Sequence, residues 1–373
     1  MSTKSRRTRE ASQTSAARTA AIRRALLGWY DLQARDLPWR RESDPYRVWL
    51  SEVMLQQTRV ETVVPYYERW LERFPTLGAV AEASLEEILS SWAGLGYYRR
   101  ARAFHEAAGV VRDRHAGRTP EDPDALRELP GVGRYTAAAI ASIAFGREAL
   151  AVDTNTRRVL SRLFDLARST TAALERVGAP LVAGARPGDT NQALMELGAT
   201  VCLPRAPRCD RCPVARSCLA RARGTTTTRP AASARRRVAA YRVGSAVLVA
   251  GGRVLVARRP RDGMLGGMWE LPGAISGRGE SPAGAAARVR RALVGGRGRG
   301  RLVAVVDHVY THRRHTYHAY RFDAGHGRVP DTAPRVAGAA RWDAIDWRAI
   351  DELSALAMGS AQRRLVRALG ETC

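Results

Sequence analysis

Leu129-Pro130-Gly131-Val132-Gly133 lies between two stretches of helical periodicity, Asp124 to Glu128 and Tyr135 to Phe145, and Val152-Asp153-Thr154-Asn155 follows about 20 residues past it. The two glycines permit a tight turn that a side chain would resist. Free amides at the start of the next helix can then face an anion such as a phosphate. By themselves the five residues also suit an ordinary helix connection, so their surroundings decide the reading. From Ala20 to about Ala222 apolar positions recur at helical spacing, as in Trp49, Leu50, Val53 and Met54, and again in Leu85, Ile88, Leu89 and Trp92. An all-α domain over 20–222 is expected.

Outward from this domain the composition changes. Residues 1–19 are Ser, Thr, Arg and Ala with almost no large apolar side chain, and are expected to be a flexible basic tail. A Thr, Pro, Ala, Ser and Arg tract over 223–237 reads as a linker. Over 238–373 the pattern shortens to strand-like runs, Ser245 to Ala250 and Arg253 to Ala257, around Gly251-Gly252, which suits a hairpin turn. Helical signal returns at Ala285 to Leu293 and from Ile350 to Leu369. The whole is a multidomain chain, all-α then α+β.

A net charge of +25 over 373 residues attracts polyanions, nucleic acid first. Lys4 is the only lysine, so the surplus is arginine and is equally compatible with a compositional bias. No window approaches an apolar membrane span, and the basic, polar N-terminus lacks a signal-peptide core. The expectation is a cytoplasmic monomer with no membrane partner.

Four of the five cysteines crowd into Cys202-x6-Cys209-x2-Cys212-x5-Cys218. Too few for a disulfide scaffold at this length, they suit metal ligation in a reducing compartment, by zinc or by an iron-sulfur cubane. Zinc usually takes paired short knuckles, and the opening gap here is six residues. Cys373 has no partner by spacing.

Two carboxylates stand out. Asp44-Pro45 is a good helix start, which leaves Glu52 in mid-helix between apolar neighbours. Partly desolvated there, it would keep a raised pKa and hold a proton near neutrality; on position alone it also fits a surface glutamate. Asp153 begins the next helix beyond the hairpin, where it can stay ionised or simply act as an N-cap. Such a pair offers one group to donate a proton and another to stabilise positive charge.

With Leu37-Pro38-Trp39-Arg40, Trp49 to Thr58 and Gly94-Leu95-Gly96-Tyr97-Tyr98, these segments resemble the helix-hairpin-helix, iron-sulfur DNA glycosylases, and within them the MutY-type adenine glycosylases. The resemblance implies a 4Fe-4S cluster on Cys202, Cys209, Cys212 and Cys218, with Arg205, Arg208, Arg211 and Arg216 near phosphates. It implies Glu52 as the acid that protonates adenine, Asp153 as the stabiliser of the sugar cation, and Asn155 and Tyr135 beside them. Arg35, Trp39, Arg40 and Gln192 would surround the adenine, and Leu55, Gln57 and Thr58 would fill the gap it leaves. Tyr97 would insert beside the damaged guanine, and Gly131, Val132 and Gly133 would hold the DNA backbone. The bifunctional relatives need a lysine where Tyr135 stands, which implies a monofunctional enzyme.

Leu265 to Gly273, continuing to Gly279-Glu280-Ser281, resembles the start of a Nudix domain. Val289, Ala292 and Leu293 stand where that family carries magnesium-binding carboxylates, so the domain is expected to recognise rather than hydrolyse. Tyr310, Thr311 and His312 correspond to the Phe-Ser-His loop that reads 8-oxoguanine in the adenine glycosylases. The implied partner is double-stranded DNA with adenine opposite 8-oxoguanine or guanine, and the implied location the nucleoid. Two rival readings are a catalytically silent mismatch sensor and a glycosylase for another mispair such as G:T.

Overall fold

The computed structural model describes residues 3–231, 238–310, 313–323 and 334–370. By contact the chain forms two compact bodies, residues 1–82 with 103–234, and residues 83–102 with 235–373.

Through residue 231 the described chain is helical. Its helices are α1 (Thr3–Gln33), α2 (Pro45–Leu55), α3 (Val60–Arg73), α4 (Leu77–Glu82), α5 (Leu85–Ser91) and α6 (Arg99–Arg114), then α7 (Pro123–Arg127), α8 (Arg134–Phe145), α9 (Thr154–Leu163), α10 (Thr171–Val182), α11 (Pro187–Thr200) and α12 (Leu219–Ala222). Ile22 and Leu26 of α1 pack with Leu160, Leu181, Leu194 and Leu197 of α9 to α11 in one buried cluster. The start of α2 is set locally, since Asp44 accepts a hydrogen bond from Arg47 N at 2.9 Å and Pro45 occupies the first turn.

Over residues 1–19, expected to be a flexible basic tail, the chain is helical from Thr3 as the first part of α1. Alanine and arginine are strong helix formers, and Arg18 anchors the helix by donating to Ser217 O at 2.7 Å. Part of the expected linker is also fastened: Arg223 and Arg229 reach Asp165 at 2.9 and 2.8 Å. Residues 232–237 lie outside the described residues.

The second body carries the sheet. Its strands are β1 (Ala239–Ala250), β2 (Arg253–Arg258), β3 (Trp269–Glu270), β4 (Gly273–Ile275), β5 (Arg301–Val309), β6 (Arg313–Asp323) and β7 (Ala344–Ala349), with helices α13 (Pro282–Val294) and α14 (Ser360–Gly370). The order is β3-β2-β1-β6-β5, with β4 paired to β1 and β7 to β2. Only the β1 and β6 pairing is parallel among those described. The Gly251-Gly252 hairpin forms as its residues dictate, with φ of +53 and +74. Gly244 lets α13 lie against β1, since a Cβ there would run into the Pro282 carbonyl.

The helix expected from Ile350 to Leu369 is broken in two. A short 3-10 turn, Asp351–Ser354, precedes α14, and between them Met358 bridges Trp269 in parallel register. That sheet contact competes with helical hydrogen bonding over residues 355–359. Among the described residues no helix is long and apolar enough to cross a membrane.

Candidate active site

A cavity of ≈ 610 Å³ opens in the first body, lined from α2, α8, α11 and the start of α9. Glu52 reaches it from α2 and is 6% exposed. Tyr135 arrives from the first turn of α8 and donates its hydroxyl to Glu52 Oε2. The turn before α8 sets that position. Gly131 has φ +74, and a Cβ there would fall 2.5 Å from Ala103 Cβ, so only glycine lets the hairpin close against α6.

Burial pushes the Glu52 carboxyl up to about 7; the Tyr135 hydrogen bond pulls it down, nearby Asp153 raises it and Arg40 lowers it. Burial, together with the negative charges of Glu52 and Asp153, holds the Tyr135 phenol far above its ordinary value, so it remains a donor.

Asp153 is the N-cap of α9. One oxygen accepts from Thr156 N at 2.6 Å and the other from Asn155 Nδ2 at 2.9 Å. Asn155 is fixed in turn by Arg158, whose Nη2 donates to Asn155 Oδ1 at 2.8 Å while its Nε donates to Cys202 O at 2.7 Å. The cysteine segment thus braces the carboxylate through two side chains.

The third wall is an ion-pair cluster. Glu196 of α11 is fully buried in its side chain, and Arg35 and Arg40 reach it at 2.7 and 2.8 Å. Burial alone would raise its pKa, but the two guanidiniums hold the carboxyl below its usual range. Sequence reasoning missed Glu196. Gln192, Glu196 and Ala199 fall on one helical face, but that face becomes the wall of the cavity only in the fold.

Of the residues expected at the site, Glu52, Asp153, Tyr135, Asn155, Arg35, Trp39, Arg40, Leu55, Gln57, Thr58 and Gln192 all line this one cavity. Gln57, just beyond α2, is exposed and takes φ +59, a strained conformation for a side chain of its type. Tyr97 belongs to the other body, 45% exposed at φ +51. Tyr310 is half-buried at the end of β5, its hydroxyl 2.7 Å from that of Tyr317. Thr311 and His312, and likewise Cys373, lie outside the described residues.

The four clustered cysteines are half-buried and line a second, small cavity of ≈ 30 Å³ together with Arg162 and Arg208. Arg162 Nη1 lies 3.4 Å from Cys202 Sγ. Burial pushes the Cys212 thiol up to about 11, with the other three cysteines adding to the rise. Among the described residues no three His, Cys, Asp or Glu side chains are grouped to hold a single ion.

Residues 50–180 match the HhH-GPD superfamily of base excision DNA repair proteins, and residues 244–368 match the NUDIX domain. The adenine DNA glycosylase of Mycolicibacterium smegmatis is 44% identical over 222 residues, which are 58% of this chain and 73% of that protein. The chain belongs to the adenine DNA glycosylase family. The human adenine DNA glycosylase is 49% identical over 221 residues, 56% of this chain and 40% of the human protein. The chain thus spans less than half the length of that relative. A solved thermostable thymine-DNA glycosylase is also similar, at TM-score 0.52 and 30% identity, over 56% of this chain and 98% of its own.

In the NUDIX-like domain the α13 positions expected for magnesium-binding carboxylates hold apolar residues. On α13 Val289 and Leu293 are buried, and the helix's Arg288 pairs with Glu280 at 2.8 Å.

Proposed function

We propose that this chain is a monofunctional DNA glycosylase that removes adenine mispaired with 8-oxoguanine or guanine by hydrolysing its N-glycosidic bond. The observation that carries the reading is a buried carboxyl, Glu52, with a pKa of about 7, sharing one cavity with the carboxylate of Asp153. Neutral Glu52 protonates the adenine ring nitrogen and makes the base a better leaving group. Asp153, oriented by Asn155, lies against the sugar as positive charge develops. Tyr135 holds the Glu52 proton donor in place, and Arg35 and Arg40 fix the Glu196 wall against which the extruded base packs. The target nucleotide must leave the duplex to enter, at a cost of about a few kcal/mol. Gly131, Val132 and Gly133 hold the phosphate backbone.

Monofunctional action follows from Tyr135, since a phenol forms no Schiff base with an opened sugar. Tyr310, Thr311 and His312 read the 8-oxoguanine. The partner is double-stranded DNA, engaged by a monomer at the nucleoid in the cytoplasm.

A labelled duplex with adenine opposite 8-oxoguanine tests this, with thymine opposite 8-oxoguanine as control. A break at the adenine only after alkali is expected. A break without alkali would overturn monofunctional action, and bound but uncut DNA would point to a mismatch sensor. The likeness to the thymine-DNA glycosylase favours a second reading, removal of thymine opposite guanine, which a T:G duplex in the same assay decides.

The cysteine site fits a 4Fe-4S cluster held by Cys202, Cys209, Cys212 and Cys218. All four are half-buried and line one small cavity, so their sulfurs can meet a common group there. When bound, the cluster ties the loop together as a structural clasp. Iron with acid-labile sulfide in the purified protein is the expected result, and stoichiometric zinc would overturn it.

A further inference from the structure

The turn Gly94 to Tyr98 holds Tyr97 in a backbone conformation that residues with a side chain rarely adopt. Its φ is +51, with Gly94 at +102 and Gly96 at +78 ahead of it. Tyr97 is 45% exposed while the adjacent Tyr98 is 3% exposed. Such strain persists only where the surroundings over-determine it.

Two braces come from the same segment. Trp92 Nε1 and Arg100 Nη2 both donate to Gly96 O at 3.0 Å. The Arg100 guanidinium also lies 5.4 Å from the Tyr97 ring centre. The third brace comes from the far end of the chain. The Tyr98 hydroxyl accepts from Gly94 N and donates to Met358 O, each at 3.0 Å. Met358 is fully buried and bridged to Trp269 of β3. One phenolic oxygen therefore joins the first residue of the turn to the sheet of the NUDIX-like domain. Arg102, which donates to Gly266 O, adds a parallel link.

We propose that Tyr98 is a positioning residue that makes the NUDIX-like domain the frame presenting Tyr97 to DNA. The inference rests on reading Tyr97 as the residue that enters the duplex beside the damaged guanine. Tyr97 and Tyr310 then belong to one compact body. The sequence hides this, because residues 83–102 are spliced between helices of the other body.

The test is Tyr98→Phe in the full chain, which keeps the ring and removes both hydrogen bonds. Amide exchange across residues 94–97 should rise in the free protein. Affinity for a duplex with adenine opposite 8-oxoguanine should fall about five- to tenfold, while single-turnover base release at saturating enzyme stays unchanged. In a Tyr97→Ala background Tyr98→Phe should cost no further affinity, since it acts through Tyr97. Unchanged exchange overturns the proposal, as does an affinity loss that persists without Tyr97. If the unaltered protein neither binds nor cleaves the duplex, the functional reading fails while the exchange measurement still decides whether Tyr98 holds the turn. Should Tyr98→Phe not fold, Arg102→Leu severs the parallel link and is expected to raise exchange over the same residues.

Discussion

Glu52 shows how one side chain trades stability for chemistry. Unfolded, its carboxyl releases a proton near 4.5, and folded near 7. Between those values the folded chain binds more protons, so stabilisation present below 4.5 is lost as pH rises through 7. Glu52→Gln removes that loss and should make the protein more stable at about pH 8, by up to about 3 kcal/mol, in denaturant unfolding. The same variant should bind mispaired duplex and release no base. Base release by the unaltered protein should fall about tenfold per pH unit above about pH 7, as the acid form is depleted. A variant that turns over, or a flat profile through this range, would remove Glu52 from the acid role. The sequence placed Glu52 among apolar neighbours, but the size of its shift depends on Tyr135, Asp153 and Arg40, which arrive from three other segments.

At the scale of the element, the start of α9 does two jobs with one residue. Asp153 caps the helix through Thr156 N, and it offers the cavity a carboxylate. Substitution separates the two. Asp153→Asn keeps a capping oxygen and should leave stability nearly unchanged, whereas Asp153→Ala should cost about 1 kcal/mol in thermal or denaturant unfolding. Base release should drop about 10²- to 10³-fold or more in both. Turnover retained by the asparagine variant would show that the negative charge is dispensable. The helix behind Asp153 carries a second constraint. Gly198 of α11 lets the start of α9 approach so closely that a Cβ there would lie 2.6 Å from Asn155 Cβ. Gly198→Ala should therefore push Asn155 off Asp153 and lower base release with little change in duplex affinity. Caps, hairpin glycines and the α2 start were legible because each is a local matter of a few residues. The broken C-terminal helix was not, since its break is imposed by Trp269, a residue of the sheet.

Over the whole molecule, the charge of +25 bears on how the protein would meet the proposed DNA partner. Each phosphate neutralised steepens the log-log salt dependence of affinity by about 0.9. A slope steeper than about −5 in a fluorescence titration is expected if the arginines face the duplex, and a slope nearer −2 would mark most of them as composition alone. Many arginines are already engaged within the fold: Arg158, Arg162 and Arg186 are tied to carbonyls or carboxylates. Composition alone cannot count those that remain for a partner.

By itself the sequence determined the all-α and α+β division, the glycine hairpin, the four-cysteine loop and the two carboxylates, because each rests on periodicity, turn chemistry or ligand spacing over a short stretch. Only the tertiary structure decided that Glu196 closes the cavity between Arg35 and Arg40, that Arg158 links the cysteine segment to Asn155, and that Tyr97 rides on the body of the sheet. Those depend on partners from about 156, 44 and 260 residues away, the separations of the Glu196, Cys202 and Met358 contacts. Burial and hydrogen bonding across such separations are consequences of packing, which no local pattern encodes.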